Sequence, residues 1–338
     1  MRISGAPLGA ATHLSLIASE NGGQVFVVNV DRATARAVPG LGVPASRQTL
    51  SSPTVWLDAV PGGVVATVAP KPCQPCERTN RKFLIDANGA VRRLDPIRLK
   101  PDQYTTAEAV GSTTTWVLTW PSGGHCTLAL EPATRPPVPV ACGSLQTDTP
   151  AGLLERTGSD TLLVNPQTGE IRERVRGNGG FDLLGRGIAL TSVWPSPGDS
   201  SFPTNLGLLN LATGARRALA WPSILHFGYQ VYPEPHGPLV AVEFVDPAYP
   251  PHRNTIGQAA DVWMLDPRSG HFTHVPGFPI FEGLKASHVA WTADDRLVTV
   301  VANDGGPTLA VWRPGQPSLR IRRVPAIEGY SNFVPLSR

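Results

Sequence analysis

The sequence predicts an all-β chain: a seven-bladed β-propeller of four-stranded blades, with the first blade closed by a strand from the C-terminus. Three observations carry that expectation. A hairpin motif recurs about every 40 residues along the chain, a second hairpin precedes most copies, and the two ends hold complementary parts of one more unit. The 34 Gly and 35 Pro are spread over all 338 residues, as many short strands separated by many turns require.

The outer hairpin is clearest at Val25 to Val38, Phe83 to Leu94, Leu162 to Ile171, Leu208 to Arg217 and Val262 to Phe272. Weaker copies run from Thr127 to Val140 and from Leu309 to Val324. Each places Asp, Asn, Pro or Gly between alternating apolar stretches, which supplies the dihedrals of a tight turn. The inner hairpin shows at Trp56 to Val68, Val231 to Val242 and Val289 to Val300. Two hairpins make one four-stranded blade, with strands A to D counted outward. The blades are then expected near 53–97, 104–142, 144–176, 181–220, 229–276 and 288–324, all within one domain spanning 1–338. Residues 12–38 hold only strands B to D, and 329–335 reads as an orphan strand A. Joining the two gives the seventh blade and removes the open sheet edges that promote aggregation.

The outer hairpins Leu163 to Gly169 (Leu-Val-Asn-Pro-Gln-Thr-Gly) and Met264 to Gly270 (Met-Leu-Asp-Pro-Arg-Ser-Gly) resemble the repeats of bacterial YVTN-type propellers. Trp291 to Leu297 (Trp-Thr-Ala-Asp-Asp-Arg-Leu) resembles a TolB-like blade. The resemblance covers nearly the whole chain and implies the propeller fold. Its motifs are turn chemistry and carry no catalytic residue. The Gly-His and Trp-Asp signature of WD repeats is missing from every blade.

Hydrophobic residues make up 41% of the chain against 16% charged, which excludes general disorder. The formal net charge is only +3, and the arginines come in short groups such as Arg92-Arg93, Arg216-Arg217 and Arg320 to Arg323. They fall on the expected outermost strands, where charge blocks edge-to-edge pairing, so no nucleic-acid partner is expected. No run of about 18 apolar residues exists to span a membrane, and a leader or anchor preceding residue 1 is compatible with the sequence.

Cys126 and Cys142 flank the second complete blade's outer hairpin. With its turn at Pro132 to Pro136, Glu131 faces Pro137 and the two cysteines stand opposite each other, within reach of a disulfide. Cys73 and Cys76 form a Cys-x-x-Cys in a Pro-rich loop, where a disulfide is favoured over a redox or zinc motif. Two such pairs point to an extracytoplasmic location, with a cytoplasmic one as the alternative.

The catalytic inventory is thin. Gly198-Asp-Ser-Ser sits in a Pro-rich loop without recognisable His and Asp partners, and His271 and His274 read as solvated rim residues. No cofactor or metal is expected. Three connections between strands B and C exceed ordinary hairpin length: Ala69 to Arg81, Trp194 to Asn205 and Asp246 to Ala260. The last two, with the D-to-A segments on the same rim, bring forward Trp194, Phe202, His226, Phe227, Tyr249, His252, Arg253, Phe278 and Phe281. Aromatics and Arg on a rigid scaffold are common contact residues. The expected role is therefore a non-catalytic binding, sensor or protein-interaction module that meets a protein or small molecule on this rim. The alternatives are a propeller hydrolase or lyase with its site at the channel mouth, and a cytosolic scaffold.

Overall fold

The computed structural model describes residues 3–9, 11–19, 23–41, 55–60, 63–68, 81–94, 104–110, 114–120, 126–131, 135–149, 152–157, 160–175, 181–185, 187–193, 205–210, 213–246, 257–283, 289–303, 305–327 and 332–337. Every regular element among them is a β-strand. The strands form seven sheets, and the chain divides into two compact units.

The first unit comprises Met1–Pro96, Ser223–Asp266 and His271–Arg338. Its sheet I holds Leu14–Ser19, Val25–Asn29 and Thr34–Ala37, completed by Asn332–Ser337. That terminal strand pairs antiparallel with Leu14–Ser19, Ala18 facing Phe333. Sheet II holds Val55–Val60, Gly63–Val68, Arg81–Ile85 and Val91–Arg93. Sheet VI is built from Gly228–Pro233, Val240–Asp246, Gly257–Asp266 and His271–His274, and sheet VII from Ala290–Trp291, Leu297–Asn303, Gly306–Trp312 and Arg320–Arg323. The second unit, Ile97–Pro222 with Pro267–Gly270, carries the other three. Sheet III holds Tyr104–Val110, Thr114–Trp120, Cys126–Glu131 and Val138–Val140. Sheet IV holds Ser144–Thr149, Gly152–Thr157, Asp160–Val164 and Ile171–Val175. Sheet V holds Phe181–Gly185, Ile188–Val193, Asn205–Asn210 and Arg216–Leu219.

Apolar faces join neighbouring sheets. In the first unit one cluster packs Val262 and Met264 of sheet VI against Leu297 and Trp312 of sheet VII. A second packs Leu14 and Leu16 of sheet I against Val300 and Leu309 of sheet VII, and a third packs Val25 and Val27 against Phe83 and Ile85 of sheet II. In the second unit Trp116, Leu118 and Leu128 of sheet III meet Leu153 and Leu162 of sheet IV. Burying one such side chain contributes about 1.5–3 kcal/mol, so these faces drive the assembly.

Arginines of the outer strands reinforce the same junctions. Arg36 donates through Nη2 to the Asn88 carbonyl at 2.8 Å, and Arg135 donates to the Pro166 carbonyl at 3.0 Å. Within the second unit Arg217 donates to the carbonyls of Arg268 and Pro267 at 3.2 and 3.3 Å. Each acceptor lies in an outer-hairpin turn. Glycines at two of these turns, Gly89 and Gly270, have positive φ, and a Cβ on either would strike the incoming guanidinium within 2.8 Å. The turn dihedral and the close approach both demand glycine. Arg36 therefore ties sheet I to sheet II, a role that edge charge alone does not describe.

The structure adds two strands that the sequence reading did not include. Ala6–Pro7 pairs in parallel with Arg320–Arg323, and Ile280–Gly283 pairs with the start of the ten-residue strand Gly257–Asp266. The long connection expected at Asp246 to Ala260 is accordingly shortened to 247–256. Cys126 and Cys142 are disulfide-bonded with Cα atoms 5.1 Å apart. The register differs from the expected one: Cys126 faces Val140, and Cys142 lies two residues beyond, so the bridge runs diagonally past the strand end. Cys73 and Cys76 lie outside the described residues.

Candidate functional site

Of the residues expected on the contact rim, Trp194, Phe202, Tyr249, His252 and Arg253 lie outside the described residues. His226 and Phe227 lie directly before the strand Gly228–Pro233, and both are exposed. Ile224 joins them at 59% exposure, with Phe227 at 47%. Ile171, less exposed than either, is the one other exposed large hydrophobic among the described residues, so the 224–227 stretch concentrates apolar surface. Its backbone is held from below. Leu225 is fully buried, its N–H donating to Ser223 Oγ at 3.1 Å. Phe278 does not belong to the rim surface: at 7% exposure it packs in the core beside Val275 and Ile280. The Phe281 backbone pairs with Ala259, inside a strand the sequence reading took for free connection.

Asp261 anchors this region. It is 2% exposed and accepts hydrogen bonds from Ser223 Oγ at 2.6 Å and Trp263 Nε1 at 2.7 Å, while His274 Nε2 lies 2.8 Å from its other oxygen. Ser, His and Asp thus meet, but not as a hydrolase triad. Both Ser223 and His274 address the carboxylate, so no imidazole is positioned to take the serine proton. The network instead holds the Ser223–Leu225 segment under the exposed stretch and seats His274 against the Trp263 ring, 4.6 Å between centroids. His274, expected as a solvated rim residue, is thereby half-buried in a polar network.

A second polar position lies between sheets III and IV. Glu155 faces Leu162 across the strand pair and is 1% exposed, its Oε1 unpartnered; Trp116 Nε1 is also buried without a partner. Burial, partly opposed by the Thr157 side chain, pushes the Glu155 carboxyl up to about 7. Such a value suits acid–base work, but the side chain is closed off from solvent.

The third feature is an open groove of about 640 Å³ between sheets I and II. Arg36, Arg81 and Arg93 line it together with Phe83, Val91 and the 88–90 turn. Strand register explains the convergence. Arg36 faces Val27, whose side chain packs toward sheet II. Arg93 faces Phe83, and Arg81 lies two positions before Phe83, so both share the face that packs toward sheet I. Sequence reading placed Arg93 on a protective edge and had no register to bring the three together.

Among the described residues no three His, Cys, Asp or Glu gather as metal ligands, and no helix is long and apolar enough to cross a membrane.

No protein-family model and no curated protein matches the chain. Solved structures do. The dihydro-heme d1 dehydrogenase NirN superposes with a TM-score of 0.50 at 11% identity, covering 94% of this chain and 75% of that one. The acylaminoacyl peptidase of Pyrococcus horikoshii gives 0.50 at 8% identity over 81% of this chain and 46% of its own, so this chain spans less than half of that enzyme. A chain of the mitotic checkpoint complex gives 0.48 at 13% identity, covering 93% and 95%. At such identities the likeness is one of architecture. Small antiparallel sheets repeated along the chain, and neighbours of propeller-like fold, make this an all-β protein of β-propeller architecture.

Proposed function

We propose that the seven sheets are the blades of one propeller, resembling the YVTN-type and TolB-like repeats, and that the chain is a non-catalytic binding or sensor module working outside the cytoplasm. The observation that carries the binding role is the exposed Ile224–Phe227 stretch, held rigidly over the Asp261 network on a connection between blades. Exposed apolar side chains on a stiff support lose little entropy when a partner covers them. The stretch meets a protein or small molecule; Trp194, Tyr249 and Arg253, expected on the same rim from the sequence, lie outside the described residues. The Cys126–Cys142 disulfide supports the compartment, because such bonds persist where the surroundings are oxidising.

The test is a thermal-shift ligand screen on the purified chain and on an Ile224→Ser/Phe227→Ser variant, with each hit followed by NMR. A ligand that raises the parent's Tm, leaves the variant's unchanged and is recovered intact supports the reading. A ligand that is consumed would make the chain an enzyme. One that stabilises both proteins equally binds elsewhere, and the rim assignment fails.

A further inference from the structure

Among the described residues, the groove between sheets I and II is lined by three arginines and no carboxylate. We propose that it is a binding site for a small, multiply charged oxyanion, a polyphosphate or polycarboxylate, independent of the rim.

Three lines of geometry support this. Arg36, Arg81 and Arg93 reach the groove from three different strands, so they are gathered by tertiary packing and not by a local run of charge. Guanidiniums converging on one groove create a potential that attracts an anion. The described lining adds only neutral residues, among them Phe83, Asn88 and Val91. Arg93 is exposed and makes no ion pair with any described residue. Its planar fork is therefore open to bidentate recognition, which suits carboxylate and phosphate oxygens.

Second, the guanidiniums stand on a firm base. Arg36 is pinned by its bond to the Asn88 carbonyl, and that turn is fixed by Asp86, whose Oδ1 accepts from the N–H groups of Asn88 and Ala90 at 2.8 and 2.9 Å. Phe83 and Ile85 beneath the groove are buried in the core joining the two sheets. A preorganised cluster binds with little ordering cost. Third, the space matches. About 640 Å³ lies within the roughly 300–1,000 Å³ of ligand sites, ample for pyrophosphate or citrate.

The experiment is isothermal titration of the purified chain at low ionic strength with pyrophosphate and with citrate, using chloride and a neutral disaccharide as controls. Saturable 1:1 binding of either oxyanion is expected, and the preferred probe tells phosphoryl from carboxylate chemistry. Arg93→Ala and Arg81→Ala should each weaken binding about tenfold or more, the loss of one charge-assisted contact. Arg93→Lys should recover only part, because an ammonium keeps the charge without the fork. Both positions are at the surface, and circular dichroism and Tm check that the variants remain folded. The Ile224→Ser/Phe227→Ser rim variant should bind the oxyanion unchanged, so a failure of one site is read separately from a failure of the other. Absence of saturable binding by both oxyanions, or equal binding by an Arg81→Ala/Arg93→Ala double variant, would overturn the assignment.

Discussion

The junction around Asp31 and the sheet face around Glu155 put a carboxylate into opposite surroundings. Asp31, in the outer turn of sheet I, accepts from the N–H and hydroxyl of Thr12, the N–H of His13 and Nη1 of Arg322, at 2.6–2.8 Å. Arg322 also donates to the carbonyls of Leu8 and Gly9, so one ion pair draws the N-terminal segment onto sheet VII. Burial pushes the Asp31 carboxyl up, but those bonds and the Arg322 charge outweigh it and hold the group below its ordinary value. Glu155 is more deeply buried and its Oε1 has no donor, so burial, only partly opposed by the Thr157 side chain, pushes it up to about 7. Depth alone therefore does not decide what a carboxylate does for this fold. The supply of donors does, and the chain spends them where its two ends meet.

The largest expected effect comes from removing the terminal strand that pairs with Leu14–Ser19. Truncation after Glu328 removes Asn332–Ser337, and with it Phe333 and Val334 from two core clusters. Aggregation, or a drop in Tm well beyond ~10 °C in scanning calorimetry, is expected. An unchanged melting curve would mean that the terminal strand contributes nothing.

On the Glu155 side the corresponding covalent restraint is the disulfide, which spans 16 residues in sequence. The double variant Cys126→Ala/Cys142→Ala should lose about 3 kcal/mol in urea unfolding. Mass spectrometry of a non-reducing digest verifies the bond itself.

Asp31→Asn should cost about 2 kcal/mol at neutral pH, since it removes a charge that several donors address. The sign of the pH dependence follows from the lowered value. Stability from this group is present above its unfolded value of 3.8 and is lost as pH falls through the folded one. Parent and variant should therefore converge in strong acid. A constant gap across pH would show that the charge is not what Asp31 contributes.

Glu155 should behave in the reverse sense. Its folded value, about 7, lies above the ordinary 4.5, so the folded state holds a proton that the unfolded chain has released. Stability then falls as pH rises from 4.5 toward 7 and levels off above. Glu155→Gln should abolish that slope and be the more stable protein at pH 8 by on the order of 2 kcal/mol. Parallel profiles for parent and variant would mean that Glu155 finds donors in solution.

Much of this architecture was legible beforehand, for identifiable reasons. The Asn-Pro-Gln-Thr-Gly and Asp-Pro-Arg-Ser-Gly turns fix outer hairpins locally, and the short apolar stretch at 329–335 reads as an orphan strand, observed at Asn332–Ser337. Ala6–Pro7 is too short to show a period, and Ile280–Gly283 pairs with Gly257–Ala260, a stretch poor in strand-forming residues. The Cys126 register slipped by two because alternate turn lengths keep the same face, so patterning cannot choose between them. Glu155 follows two leucines, and local pattern does not tell which neighbour turns inward. The arginine groove was illegible because Arg36 meets the hairpin of Arg81 and Arg93 through packing of two sheets, its bond to Asn88 spanning 52 residues of chain.

A C-terminal strand completes sheet I, and amide hydrogen exchange on Asn332–Ser337 tests that central pairing most directly. A terminal strand that completes sheet I should be protected as strongly as Leu14–Ser19 beside it, with both opening only in global unfolding. Rapid exchange across 332–337 while Leu14–Ser19 stays protected would show a frayed end, and the closure by both termini would be wrong.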